Sequence, residues 1–326
     1  MPTDFELHCN VMNFEEYSDA VATHDGRTTP SGRDSSTWTL DSLNLGSATV
    51  QYFQEGAPNI YEGVSTGEVI GLYISLPCPT PIHANGILLS KRHILLTRPG
   101  EEVSTFNQHI CRFVGLSIPV EHFIQASSTI DPALADRLIN GPADLEIELS
   151  DWVSITRQLV RIKGAAMSGS LLNHAVARRA AVEGLFSVFA DAAISSAARS
   201  SARGRRKRPR GEILSRLAEV TRSADYFKYS IVEMAHYLGL PERTFRSVFL
   251  ELYGITPKRY IALRQICDIH AALRESSPAG RVSDFAASHG VWDWGRMAQR
   301  YMKIYGEYPS ETLKGSGRIS GADARH

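Results

Sequence analysis

The chain has 326 residues, 43% of them hydrophobic, ample for a buried core and more in keeping with two domains than one. Its formal charge is zero, with 35 basic and 35 acidic side chains, and taken whole that excludes a strongly charged partner such as nucleic acid or an acidic membrane. Divided along the chain it does not: Arg203 to the C-terminus holds 22 Lys and Arg against 13 Asp and Glu, a charge of +9, which leaves −9 on the first 202 residues. An acidic body joined to a basic domain is the asymmetry that accompanies nucleic-acid contact.

The N-terminus shows no basic stretch followed by an apolar run, so no signal peptide is expected, and no apolar run approaches the ~18–20 residues needed to span a bilayer. Thr37 to Phe53, rich in Thr, Val and aromatics, predicts strands with a bend at Gly46-Ser47. Val69 to Leu76 is a second strand-like run. Ile82 to Leu89 and His93 to Thr97 read as a hairpin across Ser-Lys-Arg, and Ile110 to Ile118 as a further strand. Beyond Pro119 the spacing turns helical, over Val120–Ala126, Pro132–Ile139, Trp152–Lys163 and Leu171–Ala197. A small β-barrel or sandwich followed by a helical section is expected. The four cysteines, Cys9, Cys78, Cys111 and Cys267, are scattered without a CxxC pair, which suits a reduced, cytoplasmic protein.

Arg199 to Gly211, RSSARGRRKRPRG, has almost nothing to bury and reads as a solvated linker. It is either a plain spacer or one whose Arg203, Arg205, Arg206, Lys207, Arg208 and Arg210 also touch phosphates. From Glu212 to Leu313 nearly every segment has helical apolar spacing, so the expected fold is α+β multidomain, with an all-α second domain.

That second domain repeats. Phe245, Phe249, Tyr253, Gly254 and Pro257 recur 52 residues later as Met297, Tyr301, Tyr305, Gly306 and Pro309. Each copy reads as a helix with a core-facing stripe, a Gly cap and a Pro that stops it. Ahead of each lies a short helix, Ile231–Leu238 with Ala235 then Gly239, and Val282–His289 with Ala286 then Gly290. A small Ala that lets helices cross closely, a Gly four residues on in the turn, then a buried apolar residue (Phe245, Met297) is helix-turn-helix spacing.

On the segments LGLPERTFRSVFLELYGITPKRYI (238–261) and SHGVWDWGRMAQRYMKIYGEYPSETL (288–313), the region 212–315 resembles the tandem helix-turn-helix domain of AraC/XylS-family transcription regulators. The resemblance implies double-stranded promoter or operator DNA as partner, and a β-rich, cupin-like N-terminal domain (1–198) that binds a small-molecule effector and forms a homodimer. RNA polymerase is a further implied contact. The linker is then 199–211, and 316–326 a flexible tail. Gln265 and His270 depart from the family, whose connecting helix usually carries arginines there.

With Phe245, Val248, Phe249 and Leu252 buried, the first recognition helix turns Arg243, Arg246 and Ser247 outward. With Met297, Tyr301 and Ile304 buried, the second turns out Trp294, Gly295, Arg296, Gln299 and Arg300. These positions match those at which the family contacts bases. Arg suits guanine and Gln suits adenine. Trp294 either meets a thymine methyl or covers the core beside Trp292. Lys258, Arg259, Lys303 and Lys314 are phosphate contacts or plain surface.

An enzyme would have to reside in the first half. No HxH, HExxH, Walker loop or GxSxG is present, and Cys78 in LPCPTP has no basic neighbour to activate it. No catalytic residue, metal or cofactor is expected. His83, His93 and His109 read as ordinary strand-region histidines rather than ligands. The competing reading is a ligand-independent regulator whose first domain only dimerises or contacts RNA polymerase. Leu171–Ala197, with Leu172, Val176, Ala180, Phe186 and Phe189 on one face, is a dimer helix or a packed core helix. An effector pocket is expected between Trp38 and Phe113.

Overall fold

The computed structural model describes residues 7–22, 26–33, 37–65, 67–78, 82–141, 143–168, 172, 174–200, 210–223, 225–277 and 280–319. Strand β1 (Leu7–Met12) and helix α1 (Phe14–Ala22) come first. Strands β2 (Gly26–Pro30), β3 (Trp38–Asn44), β4 (Thr49–Glu55), β5 (Asn59–Val64), β6 (Val69–Ser75), β7 (Ile82–Ala84), β8 (Ile87–Leu89), β9 (His93–Thr97), β10 (Glu102–Asn107) and β11 (Cys111–Pro119) follow. They are succeeded by α2 (Val120–Ile130), α3 (Leu134–Asn140), β12 (Asp144–Glu146), α4 (Leu149–Met167) and α5 (Ala175–Ser200). The C-terminal part consists of α6 (Arg210–Arg222), a 3₁₀ turn at Tyr226–Lys228, α7 (Ile231–Tyr237), α8 (Glu242–Tyr253), α9 (Pro257–Glu275), α10 (Val282–Ser288), α11 (Trp294–Tyr305) and α12 (Pro309–Ile319).

The strands form two antiparallel sheets, one ordered β1-β3-β4-β11-β6-β9-β12 and the other β2-β5-β10-β7-β8. Both faces of each central strand are used, because side chains alternate with period two. On the larger sheet Val50, Tyr52, Ile70, Leu72, Ile74, Val114, Leu116 and Ile118 point to a helical layer and join Phe123, Trp152, Ile155, Leu159, Phe186 and Phe189 in one core. Their neighbours Gln51, Phe53, Gly71, Tyr73 and Phe113 face the other way, into a cavity between the sheets. Burial on both sides is why Val69–Ser75 reads as an almost unbroken apolar run.

The β-rich body with its helical section and the all-α remainder agree with the sequence expectation. Several details differ. The turn inside Ile82–Leu89 is at Asn85-Gly86, with φ of 49° and 73°, so β7 and β8 make the hairpin. Strand β9 belongs to the other sheet, between β6 and β12. The expected hairpin between Ile82–Leu89 and His93–Thr97 therefore does not form. Helix α5 buries Leu185, Phe186, Phe189, Ala190 and Ala193 against the core, but Val176 is 82% exposed and Ala180 is exposed, so the apolar face begins later than the spacing suggested. The linker residues 201–209, with Arg203 to Arg208, lie outside the described residues, and the helices reach in from both sides to Ser200 and Arg210.

Helices α6–α9 pack on the outer face of the smaller sheet. Ile60 and Phe106 join Leu217, Met234, Phe249, Leu252 and Tyr253 in a shared core. Around it Glu62 accepts from Tyr260 Oη and from Thr221 Oγ1 (3.2 Å), and Arg222 pairs with Glu102. At the far edge Glu15 pairs with His270 (3.3 Å) and Arg274 (3.6 Å), and Arg27 with Asp268 (3.4 Å). Arg264, 3% exposed, donates to the Thr221 carbonyl and lies over the Tyr226 ring at 4.0 Å. This is how a buried arginine is made tolerable: its charge rests on aromatic faces and carbonyl oxygen. Among the described residues no helix is long and apolar enough to cross a membrane.

Candidate nucleic-acid interface and ligand cavity

Two units of the same construction stand in the C-terminal part. In the first, Ser230 caps α7 and Glu233 returns the bond, a capping box that fixes the helix start. Ala235 is buried at 2% and its carbonyl accepts from Leu240 N at 2.9 Å, across a turn whose Gly239 has φ 64°. The second repeats this with Ala286 at 0%, Val291 N to the Ala286 carbonyl at 2.8 Å, and Gly290 at φ 73°. Both turns need the left-handed region, which glycine enters without Cβ strain.

Helix α8 buries Phe245, Phe249 and Leu252 and exposes Arg243, Arg246 and Ser247. Helix α11, capped by Asp293 accepting from Arg296 N at 3.1 Å, buries Met297, Tyr301 and Ile304. It exposes Trp294, Gly295, Arg296, Gln299 and Arg300. Trp292 is 77% and Trp294 51% exposed, so neither is a core lid. Arg246 pairs with Glu242 at 2.6 Å and Arg296 with Asp293 at 3.5 Å; both pairs are solvent-exposed and weakly held, so either arginine can exchange its carboxylate for another acceptor. Gly254 (φ 67°) and Gly306 (φ 76°) cap the two helices, and Pro257 and Pro309 open the next ones.

Helix α9 separates the units. Lys258 and Arg259 on it, with Arg300 and Lys303 on α11, line one groove together with Thr256 and Gln265. Gln265 also donates to the His289 carbonyl (2.8 Å). His270 is buried, stacked on Tyr305 at 3.8 Å and bonded to Tyr301 Oη at 2.5 Å. At both departures from the family's arginines the side chain holds the fold together. Lys314 lies exposed on α12.

The second candidate site is the space between the two sheets, about 360 Å³. Residues from β3, β4, β6, β9 and β11 form one wall, and from β5, β7, β8 and β10 the other. Helix α1 closes one end with Tyr17, Ala20 and Val21. The lining therefore extends beyond the stretch from Trp38 to Phe113. Helix α1 went unread in the sequence, although Phe14, Tyr17 and Val21 have helical spacing. Trp38 itself is buried behind the wall, against Phe14 and Tyr17.

At that end Glu55 is 3% exposed and accepts from Tyr17 Oη (3.2 Å), Asn59 Nδ2 (3.0 Å), Cys111 Sγ (3.1 Å) and Asn107 Nδ2. Burial pushes its carboxyl pKa up, against the pull of those hydrogen bonds, and burial likewise raises Tyr17 and Cys111. His83 stacks on Phe106 at 4.3 Å on the side toward the C-terminal helices, and burial lowers its pKa; His93 bonds Ser90, on the larger sheet. Among the described residues no cluster of metal-ligating side chains forms.

Residues 234–315 match the helix-turn-helix domain family. Over 86 residues the chain is 33% identical to the XylDLEGF operon transcriptional activator of Pseudomonas putida, covering 26% of this chain and 27% of that protein. A second such activator of the same organism is 29% identical over 85 residues, covering 26% of this chain and 54% of that one. The chain thus spans about a quarter (27%) of the length of the first of these relatives. The crystal structure of the AraC-like transcriptional activator CuxR aligns over 87% of this chain and all of that one, at TM-score 0.41 and 11% identity. That of ToxT from Vibrio cholerae aligns over 82% and 97%, at TM-score 0.30 and 10% identity. The paired turns, the glycine caps and the match over 234–315 together make the C-terminal part of this chain a tandem helix-turn-helix domain of the AraC/XylS type.

Proposed function

We propose that the protein is a sequence-specific DNA-binding transcription regulator that lays α8 and α11 in successive major grooves and responds to a small molecule held between its two sheets. The observation that carries this reading is the pair of equivalent helix-turn-helix units, each offering exposed arginines from a helix packed by its opposite face. Arg243, Arg246 and Ser247 on α8, and Trp294, Arg296 and Gln299 on α11, are the proposed base-reading side chains. Lys258, Arg259, Arg300 and Lys303 are proposed to hold phosphates between them. The 19 residues of α9 extend roughly 28 Å at 1.5 Å per residue, comparable with the ~34 Å of one DNA turn. The same reading makes double-stranded promoter DNA the partner, the cytoplasm the site of action, and catalysis no part of the activity.

Support for effector control comes from β5 and β10. One face of this strand pair lines the cavity with Tyr61, Val103 and Thr105, while the other docks the DNA-binding part through Ile60, Glu62, Ser104 and Phe106. A ligand that shifts these strands therefore acts on both sides of the same wall. A homodimer is supported by α4, which leaves Leu149, Val153, Val160 and Met167 exposed. In the second reading the N-terminal part only dimerises or touches RNA polymerase, and the cavity has no occupant.

The test is selection of binding sites from random duplexes by the full chain, followed by gel-shift titration at several salt concentrations. A preferred site bound with a steep salt slope supports the reading. Binding without site preference refutes it.

A further inference from the structure

The lining of the cavity is unusual in its charge. Among the described residues it contains no Lys, Arg or His, and its one carboxylate is Glu55. The strand registers order the lining along the barrel. Thr49 pairs with Ser117, Gln51 with Gly115, Phe53 with Phe113, and Glu55 with Cys111. From Thr49 to Glu55 is roughly 20 Å at ~3.4 Å per residue. One end is thus neutral and polar, the middle aromatic, and the far end is the Glu55 network.

The middle is built from rings laid against bare backbone. A Cβ on Gly26 or Gly63 would stand 2.3 or 2.4 Å from the Tyr61 hydroxyl, and one on Gly71 or Gly115 would come within 2.9 or 3.0 Å of the Tyr73 ring. Glycine at these four positions is what lets the two tyrosines lie flat on opposite walls. Phe53 and Phe113 stack beside them, centroids 4.5 Å apart and planes within 9°. The slot between such walls suits a flat apolar body.

We propose that this cavity takes an uncharged, largely apolar molecule, with its ring or chain between Tyr61 and Tyr73 and a neutral hydroxyl, carbonyl or amide at the Thr49–Gln51–Ser117 end. An anionic ligand would be desolvated with no cation to meet it and a carboxylate in the same space. A cationic ligand would find only Glu55, whose Oε2 already accepts from Asn59, Asn107 and Cys111 and whose Oε1 is covered by Tyr17. Thr49, Gln51 and Ser117 offer hydrogen bonds without charge. This inference rests on the reading of the cavity as an effector site and adds the chemical class of its occupant.

The test uses the full chain and the neutral fluorophore N-phenyl-naphthylamine, displaced by three compounds that differ only in their end group: phenylpropanol, phenylpropionate and phenylpropylammonium. We expect saturable binding of one fluorophore per chain, displaced by the alcohol, with the carboxylate and the ammonium weaker by at least about a hundredfold. Thr105→Phe and Ser117→Phe, which fill the cavity from opposite walls, should each abolish the signal in protein whose circular dichroism is unchanged. If the carboxylate or ammonium competes within about tenfold of the alcohol, the charge inference is overturned and the cavity survives as a site. If binding is absent, or persists through both filled variants, the effector reading falls with it.

Discussion

Gly254 and Gly306 occupy equivalent places in the two halves of the repeat, yet only Gly254 is packed tightly against the N-terminal part. Both cap their helices at positive φ, 67° and 76°. A Cβ on Gly306 would have nothing nearer than Arg33 at 3.8 Å, whereas one on Gly254 would come within 2.2 Å of the Phe106 ring. Gly306→Ala should therefore cost only the left-handed penalty, about 1–2 kcal/mol. Gly254→Ala carries that penalty plus overpacking of about 1–3 kcal/mol, because Phe106 is 6% exposed and stacked on His83 without room to retreat. Guanidinium denaturation followed by circular dichroism should show a lower midpoint for Gly254→Ala than for Gly306→Ala at equal slope. Phe106→Ala alone is expected to cost about 3–5 kcal/mol. In the double variant the clash is absent, so the two effects should sum to less than their separate values. Equal costs for the two glycines, or strict additivity with Phe106→Ala, would refute the docking of α8 on β10.

Two other tests address the interface and the junction. Arg243→Ala and Arg296→Ala should each relax base preference at a single position of the site, by about 1–3 kcal/mol of discrimination, as read by site selection on each variant; a uniform loss over all sequences would make them phosphate contacts instead. Burial raises the Glu62 pKa above 4.5, opposed by bonds from Tyr260 and Thr221 and by the charge of Arg27. The folded chain therefore keeps this proton to higher pH than the unfolded chain. The resulting stabilisation is complete below the unfolded value and is lost as pH rises through the folded one. Acidification from neutral pH should thus favour the native protein over Glu62→Gln in thermal melts. Parallel profiles would sink this account of Glu62.

Much of the DNA-binding part was legible because its determinants are local. Ala235 and Gly239, like Ala286 and Gly290, lie four residues apart, within one helical turn and its exit. The stripes Phe245–Phe249–Tyr253 and Met297–Tyr301–Tyr305 fall on one helix face whatever lies beyond them. The β-rich half was less legible. Strands β5 and β10 escaped notice because their pattern is broken by what the two faces must do. Tyr61 serves the cavity while Ile60 and Glu62 serve the other domain, so NIYEGV alternates between two interiors rather than between interior and water. The Asn85-Gly86 turn was missed inside an apolar run, which moved β9 from its expected hairpin to the opposite sheet.

The charge division at Arg203 shows the same boundary between local and global information. Sequence alone determined that a basic, repeated, all-helical domain follows an acidic β-rich one, since composition and short-range spacing need no partner to be read. Only the tertiary structure decided that Glu62 and Phe106 close one domain onto the other, that His270 and Gln265 brace the fold, and that Gly26 and Gly115 make room for Tyr61 and Tyr73 in a cavity whose described lining has no basic side chain. Those features arise from residues tens to hundreds of positions apart, and no periodicity along the chain records which of them will meet.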